Sequence, residues 1–226
     1  MNSEIKSKVK VIIERKIKSG ILKYIFNREG IHIVYFLVDD SLTDISHMFQ
    51  SCSSLIEICF SFESYNIQRM MGVFHSCNCL QTIDFSSFKT DNVTDMTKMF
   101  AWCWALKKVD LSSFKTDKVK EMIGMFGASG LQEINLSNFN TENVVNMRDM
   151  FTRCCDLKEI DLSSFKTDNV YSMNNMFSFC SKVERINLQN FKSDKVSDMT
   201  EMFKGIPKSC ILNCNDIKIK TEFNNK

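Results

Sequence analysis

Val93-Thr94-Asp95-Met96-Thr97-Lys98-Met99-Phe100-Ala101-Trp102-Cys103-Trp104-Ala105-Leu106-Lys107-Lys108-Val109-Asp110-Leu111-Ser112-Ser113-Phe114-Lys115-Thr116-Asp117 decides the reading of this chain, because its apolar frame returns along most of the sequence. Aligned on Phe100, the frame places Phe49, Phe74, Phe126, Phe151, Phe177 and Phe203 in one phase, with steps of 25 or 26 residues. A period of that length is the signature of stacked repeats, in which each unit buries its apolar face against its neighbours.

Two periodicities alternate inside the unit. Val93, Met96, Met99, Phe100, Cys103 and Leu106 recur at steps of three or four, which predicts a short helix with Thr90 and Asp91 as N-cap candidates. Val109-Asp110-Leu111 alternates apolar, polar, apolar, which predicts a short strand. The resulting expectation is an α/β solenoid, leucine-rich-repeat-like, of about seven strand-plus-short-helix units. Phe88, Phe114, Phe139, Phe165 and Phe191 would stack as a second aromatic spine. The step from Phe126 to Leu131 is one residue shorter than that from Phe100 to Leu106, so the deletion falls in the turn between the two elements.

The repeat accounts for an odd composition. The 226 residues include 14 Met, 19 Phe and 10 Cys beside a single Pro, and ten of the methionines fill repeat positions. Otherwise the chain is ordinary for a globular protein: 44% hydrophobic, 25% charged, with 29 basic and 27 acidic side chains. That balance disfavours disorder and bulk nucleic-acid binding. The basic excess is local, with eight Lys/Arg against three Glu in residues 1–30.

The ends differ from the middle, and three segments are expected: 1–41, a basic amphipathic helix with a capping strand; 42–206, the solenoid; and 207–226, a C-terminal cap and tail. Ile5, Val9, Ile12, Ile13 and Ile17 fall near helical spacing. The predicted helix ends near Ser19-Gly20 and covers the open end of the stack, residues 1–28 being the one segment suited to a membrane surface. Ile31 to Val38 reads as the first buried strand. Ile211-Leu212 is expected to pair with Ile217 and Ile219 in closing strands, and Glu222 to Lys226 to fray. No secretory signal is visible at the start, so a cytoplasmic location is expected.

Cys52, Cys77, Cys103, Cys154 and Cys180 share one repeat phase. With return helices roughly 8–10 Å apart, disulfides are not expected, and the thiols read as small buried apolar groups. No zinc-ligand spacing occurs, and His32, His47 and His75 are not paired, so no metal or other cofactor is expected. The outward strand positions form a row of Asp84, Asp110, Asn135, Asp161 and Asn187 that could meet a basic partner, with Lys108 and Arg185 beside it. The alternative is that neighbouring lysines and arginines simply neutralise it. A second row of Lys89, Lys115, Lys166 and Lys192 with nearby carboxylates reads as a solvated mixed-charge edge rather than a polyanion site. Carboxylates repeat with the scaffold instead of converging, so an enzyme is not expected.

The string at 96–119 and its copies resemble the BspA-like leucine-rich-repeat surface proteins, in particular the mycoplasma lipoprotein branch, with Met-Phe, Cys, Leu and Asp-Leu-Ser-x-Phe at matching positions over about 42–206. The resemblance implies a solenoid used for adhesion or protein binding, often at a cell surface. The resulting expectation is a non-enzymatic scaffold that holds a protein partner through the strand face, with no nucleic-acid role. A surface adhesin is the alternative, and a peripheral membrane protein held by residues 1–28 the weaker one.

Overall fold

A computed structural model describes residues 9–13, 16–19, 33–38, 40–60 and 66–226. Among the described residues the chain is a repeat fold of short strands with one helix at its C-terminal end. Each 25–26-residue unit is one coil, laid in parallel register on the next. A ladder of single bridges joins Asp44, Arg69, Asp95, Glu121, Asn146, Ser172 and Asp198 in succession along one side. On the other side short strands pair, and the pairing is interrupted. Strands β1 (Val9–Ile13), β2 (Lys16–Ser19) and β3 (Val34–Val38) form an antiparallel sheet in the order β2-β1-β3; β4 (Glu57–Cys59) pairs in parallel with β5 (Thr82–Asp84); and β6 (Glu159–Asp161), β7 (Arg185–Leu188) and β8 (Ile211–Cys214) form a second parallel sheet. Helix α1 (Ile217–Asn224) closes the end.

The interior follows the repeat. Phe49, Phe74, Phe100, Phe126, Phe151, Phe177 and Phe203 stack nearly parallel, with ring centroids 5.4–5.9 Å apart. Phe139, Phe165 and Phe191 continue the second spine at 6.4 and 6.5 Å. Burying a side chain of this size is worth about 1.5–3 kcal/mol, and the rings inside each spine are covered on both faces by their own copies. Phe223 of α1 closes the first spine edge-on against Phe203 at 5.2 Å.

Among the described residues the repeats contain no helix, contrary to expectation. Lys98 and Trp102 have φ of 53° and 64°, and the equivalent positions in the other coils are also positive. Met99 donates to Met96 and Cys103 to Phe100, so the segment is a run of tight turns with a positive-φ third residue, the type II signature. Alternate N–H groups leave the coil altogether: Met96, Lys98, Phe100 and Trp102 donate to Glu121, Ile123, Met125 and Gly127 of the next one. Consecutive four-residue turns put apolar side chains inward at steps of three or four, as a helix does, and that spacing alone does not separate the two.

The same ladder changes the packing distance. Hydrogen-bonded coils lie about 4.8 Å apart, closer than the helix spacing expected of the return side, so distance no longer argues against disulfides there. The ten cysteines are nonetheless all free thiols. Strands are also missing at 107–111 and 132–136, where Gln132 N–H to Lys107 is the one backbone–backbone hydrogen bond between neighbouring coils. The shortened turn Gly127-Ala128-Ser129-Gly130 lies between these two stretches, and its Gly130 is pinned to Cys103 instead.

At the N-terminal end the expected helix is replaced by strands over 9–13 and 16–19, with Ile12 opposite Ile17 on one side and Tyr35 on the other. Val9, Val11, Ile12 and Ile13 are β-branched and favour extended backbone. The remainder of the expected 1–28 helix lies outside the described residues. Ile31-His32 do too, and the strand that follows is not buried throughout: Tyr35 is 60% exposed, while Phe36 packs edge-on against Phe49. At the C-terminal end, Ile211-Leu212 pairs with β7, and Ile217–Ile219 is helical, not a strand. Helix α1 runs to Asn224, so most of the segment expected to fray is ordered.

Candidate interaction surface

The outward row is built into the turns. Asp84, Asp110, Asn135, Asp161 and Asn187 each accept, through Oδ1, the backbone N–H two residues on, at 2.8, 2.9, 3.0, 2.9 and 3.3 Å. These are Asx turns, which the sequence Asp-Leu-Ser offers because a short side chain can replace a backbone acceptor. The turn N–H groups hold the Asp84, Asp110 and Asp161 carboxyls below the usual range. Asn213 extends the row by donating to Asn187 at 2.9 Å. Arg185 pairs with Glu159 on the adjacent strand, and Lys108 is exposed.

The structure gathers these residues into two shallow clefts. One, about 310 Å³, lies where the ladder is interrupted and is lined by Asp84, Asp110, Ser86, Ser112 and Ser113. The other, about 250 Å³, holds Glu159, Asp161, Arg185, Asn187 and Ile211. Asn135 and Lys108 belong to neither.

Two further rows tie coil to coil. Thr90, Thr116, Thr141 and Thr167 are buried, and each hydroxyl both donates to and accepts from the backbone of one residue in the next coil, at 2.7–2.8 Å. Thr90, expected as a helix cap, is thus a clip between coils. Ser193 ends the series on Asp216, which also caps α1 through the Ile219 N–H. Outside the clips, Lys115 pairs with Asp91 at 2.7 Å, Lys192 with Asp168 at 2.6 Å, and Lys166 with Glu142. The buried thiols form the last row: Cys77, Cys103, Cys154 and Cys180 each donate to a phenylalanine carbonyl of the preceding coil at 2.9–3.1 Å. Burial pushes the Cys77 and Cys154 thiols up to about 12.

One corner departs from the repetition, and it was not singled out from the sequence. Trp102 and Trp104 are 45% and 54% exposed, with ring centroids 6.0 Å apart and planes at 47°. The preceding coil carries Ser76 and Asn78 in their places, and the following one Ala128 and Gly130. Two coils further on, the same positive-φ position is occupied by Phe179, 38% exposed, with the Arg153 guanidinium 5.0 Å from its ring centroid and Lys204 at 5.9 Å. Lys107 crosses Gly130, where a side chain would be in its way, to reach Asp156 at 3.4 Å, and Lys182 meets the same carboxylate at 2.7 Å. The signal was available: a Trp-Cys-Trp interruption at otherwise small, polar positions.

A comparison with protein families matches residues 43–131 and 127–210 to the family described as Mycoplasma protein of unknown function, DUF285. The chain belongs to the DUF285 family. The DUF285 matches span the coils that carry the Phe spine, the clips and the thiol row. No curated protein matches the chain. Among solved structures, a leucine-rich cell surface protein from Faecalibacterium prausnitzii is similar at 14% identity and a TM-score of 0.33, covering 80% of this chain and 64% of that one. The chain therefore spans just under two thirds of that protein's solved length. Among the described residues of this DUF285 protein, no group of three or more His, Cys, Asp or Glu could hold a metal ion, and no helix is long and apolar enough to cross a membrane.

Proposed function

We propose that this protein is a non-enzymatic interaction scaffold, leucine-rich-repeat-like in its use of a rigid stack to present a surface to a protein partner. One observation carries the reading. The polar side chains that recur from coil to coil hold turns or neighbouring coils, whereas the exposed aromatic corner at Trp102, Trp104 and Phe179 answers to no repeat requirement. Exposed Trp and Arg, the one at Trp102 and Trp104 and the other at Arg153 over the Phe179 ring, are residue types that dominate binding energy in protein interfaces. The strand face, with Lys108, Arg185 and the outer oxygens of Asp110 and Asp161, is the alternative surface, favoured by the two clefts that line it. Display outside the cell, as in the BspA-like proteins the repeat resembles, agrees with this use.

The test is site-specific photo-crosslinking in extracts of the native source, with a benzophenone amino acid at position 94, 104 or 110. A discrete adduct at 104 and none at 94 supports the corner. An adduct confined to 110 transfers the role to the strand face, and equal, diffuse labelling at all three positions contradicts a defined binding surface.

A further inference from the structure

The corner has three properties that together select an occupant. It is apolar at one end, where the two indoles meet at 47° with centroids 6.0 Å apart. It is cationic along the rest, with Lys107, Arg153, Lys182 and Lys204 against the carboxylates of Asp156 and Glu201. Among the described residues Arg153 has no carboxylate partner; its guanidinium lies over the Phe179 ring instead. Its length is set by the stack: Trp102 and Phe179 are three coils apart, about 14 Å at ladder spacing, a span of four or five residues of extended chain.

We infer that this corner docks an extended acidic segment of a partner protein, with an apolar side chain of that segment seated against Trp102 and Trp104 and its carboxylates meeting Arg153, Lys182 and Lys204. The proposal rests on the scaffold reading above and names the partner's chemistry. The ring geometry favours a peptide over the other polyanions. Stacking of nucleic-acid bases needs free, open aromatic faces, but Arg153 and Lys204 lie over the Phe179 ring and the inclined indoles enclose a wedge, not a parallel slot. A wedge suits a branched aliphatic side chain or a proline. Cations placed along an extended chain add both steering and selectivity against basic partners.

The test uses the full chain and two pools of fluorescein-labelled decapeptides with the same Leu, Pro and Phe content, one carrying Asp and Glu at half its positions and the other Lys and Arg. The acidic pool should raise fluorescence anisotropy and shift the emission of Trp102 and Trp104, which are the two tryptophans of the chain; the basic pool should do neither. Trp102→Ser with Trp104→Asn, which copies the preceding coil, should weaken binding at least tenfold. Arg153→Glu with Lys182→Glu should weaken it at least fivefold. Circular dichroism and melting confirm that the variants fold. Lys115→Ala, at an exposed coil-to-coil pair away from the corner, should leave the affinity unchanged. Failure of the acidic pool to bind, indifference to the corner substitutions, or tighter binding of oligo-dT or a sulfated polysaccharide overturns the proposal. If the acidic pool fails while the crosslink at position 104 persists, the scaffold survives without an acidic partner; if both fail, neither reading stands.

Discussion

At the scale of single residues, hydroxyls and carboxylates that look interchangeable on paper have unequal weight. Thr116 is buried and bonds twice to Asn140 in the next coil, through its hydroxyl as donor and as acceptor. Thr116→Val keeps the shape and orphans an N–H and a C=O, so unfolding in urea should show a loss of about 2–3 kcal/mol. Lys115→Ala removes an exposed pair nearby and should leave the urea midpoint nearly unchanged. Gly130 makes a different demand, since an added Cβ would lie 1.8 Å from the Trp104 carbonyl oxygen. Gly130→Ala should therefore cost about 2–3 kcal/mol through backbone displacement, read as a lower urea midpoint. The carboxylates divide by sign. Turn N–H groups lower Asp110 and Asp161, so their contribution is present above the ordinary carboxylate range and lost as pH falls through their lowered values. Burial, with Asp95 beside it, raises Glu121, whose Oε2 is buried without a hydrogen-bond partner. Its contribution is present below the unfolded value and lost as pH rises through the folded one. Glu121→Gln should thus raise the melting temperature at pH 7 and leave it unchanged near pH 3.

Among the elements, the thiol row offers the clearest chemical readout. Cys77, Cys103, Cys154, Cys180, Cys210 and Cys214 are buried, while Cys52, Cys59, Cys79 and Cys155 are exposed. Alkylation at pH 8 should label the four exposed thiols quickly and the other six only on unfolding, since the thiolate is the reactive form and burial suppresses it. Mass spectrometry of the labelled peptides checks this, and rapid labelling of Cys103 would contradict the buried row. What the sequence revealed about each element depended on how many structures share its pattern. The Phe spacing admitted stacked repeats, and Phe165 and Phe191 stack as expected. The Met96–Leu106 spacing admitted two, helix or consecutive turns, and the positive φ of Lys98 and Trp102 that separates them is not written in their side chains. Asp110 was correctly placed outward, but its bond to Ser112 is local backbone geometry that an apolar-polar pattern does not contain. The Thr clips escaped notice for the same reason: a threonine before an acid also looks like a helix cap.

For the whole molecule, repetition makes the chain a spring of nearly equal coils in which stability is a sum of units and their contacts. The repeated exterior is then largely committed to holding the stack, and a site is to be sought where the repeat fails, at Trp102 and Trp104. Asp216 shows how the end is secured, since one carboxylate serves both the last coil and the helix that covers it. That the strand row belongs to the scaffold, leaving the aromatic corner for a partner, is tested most directly by urea unfolding of two double variants. Asp110→Asn with Asp161→Asn keeps the Oδ1 acceptor, as Asn135 and Asn187 already do, and should lose only the charge-dependent share of the turn bonds, a smaller shift of the midpoint than the alanine pair gives. Asp110→Ala with Asp161→Ala removes it and should lower stability by about 1 kcal/mol per site. An alanine pair as stable as the natural chain would contradict the assignment and return the row to the partner.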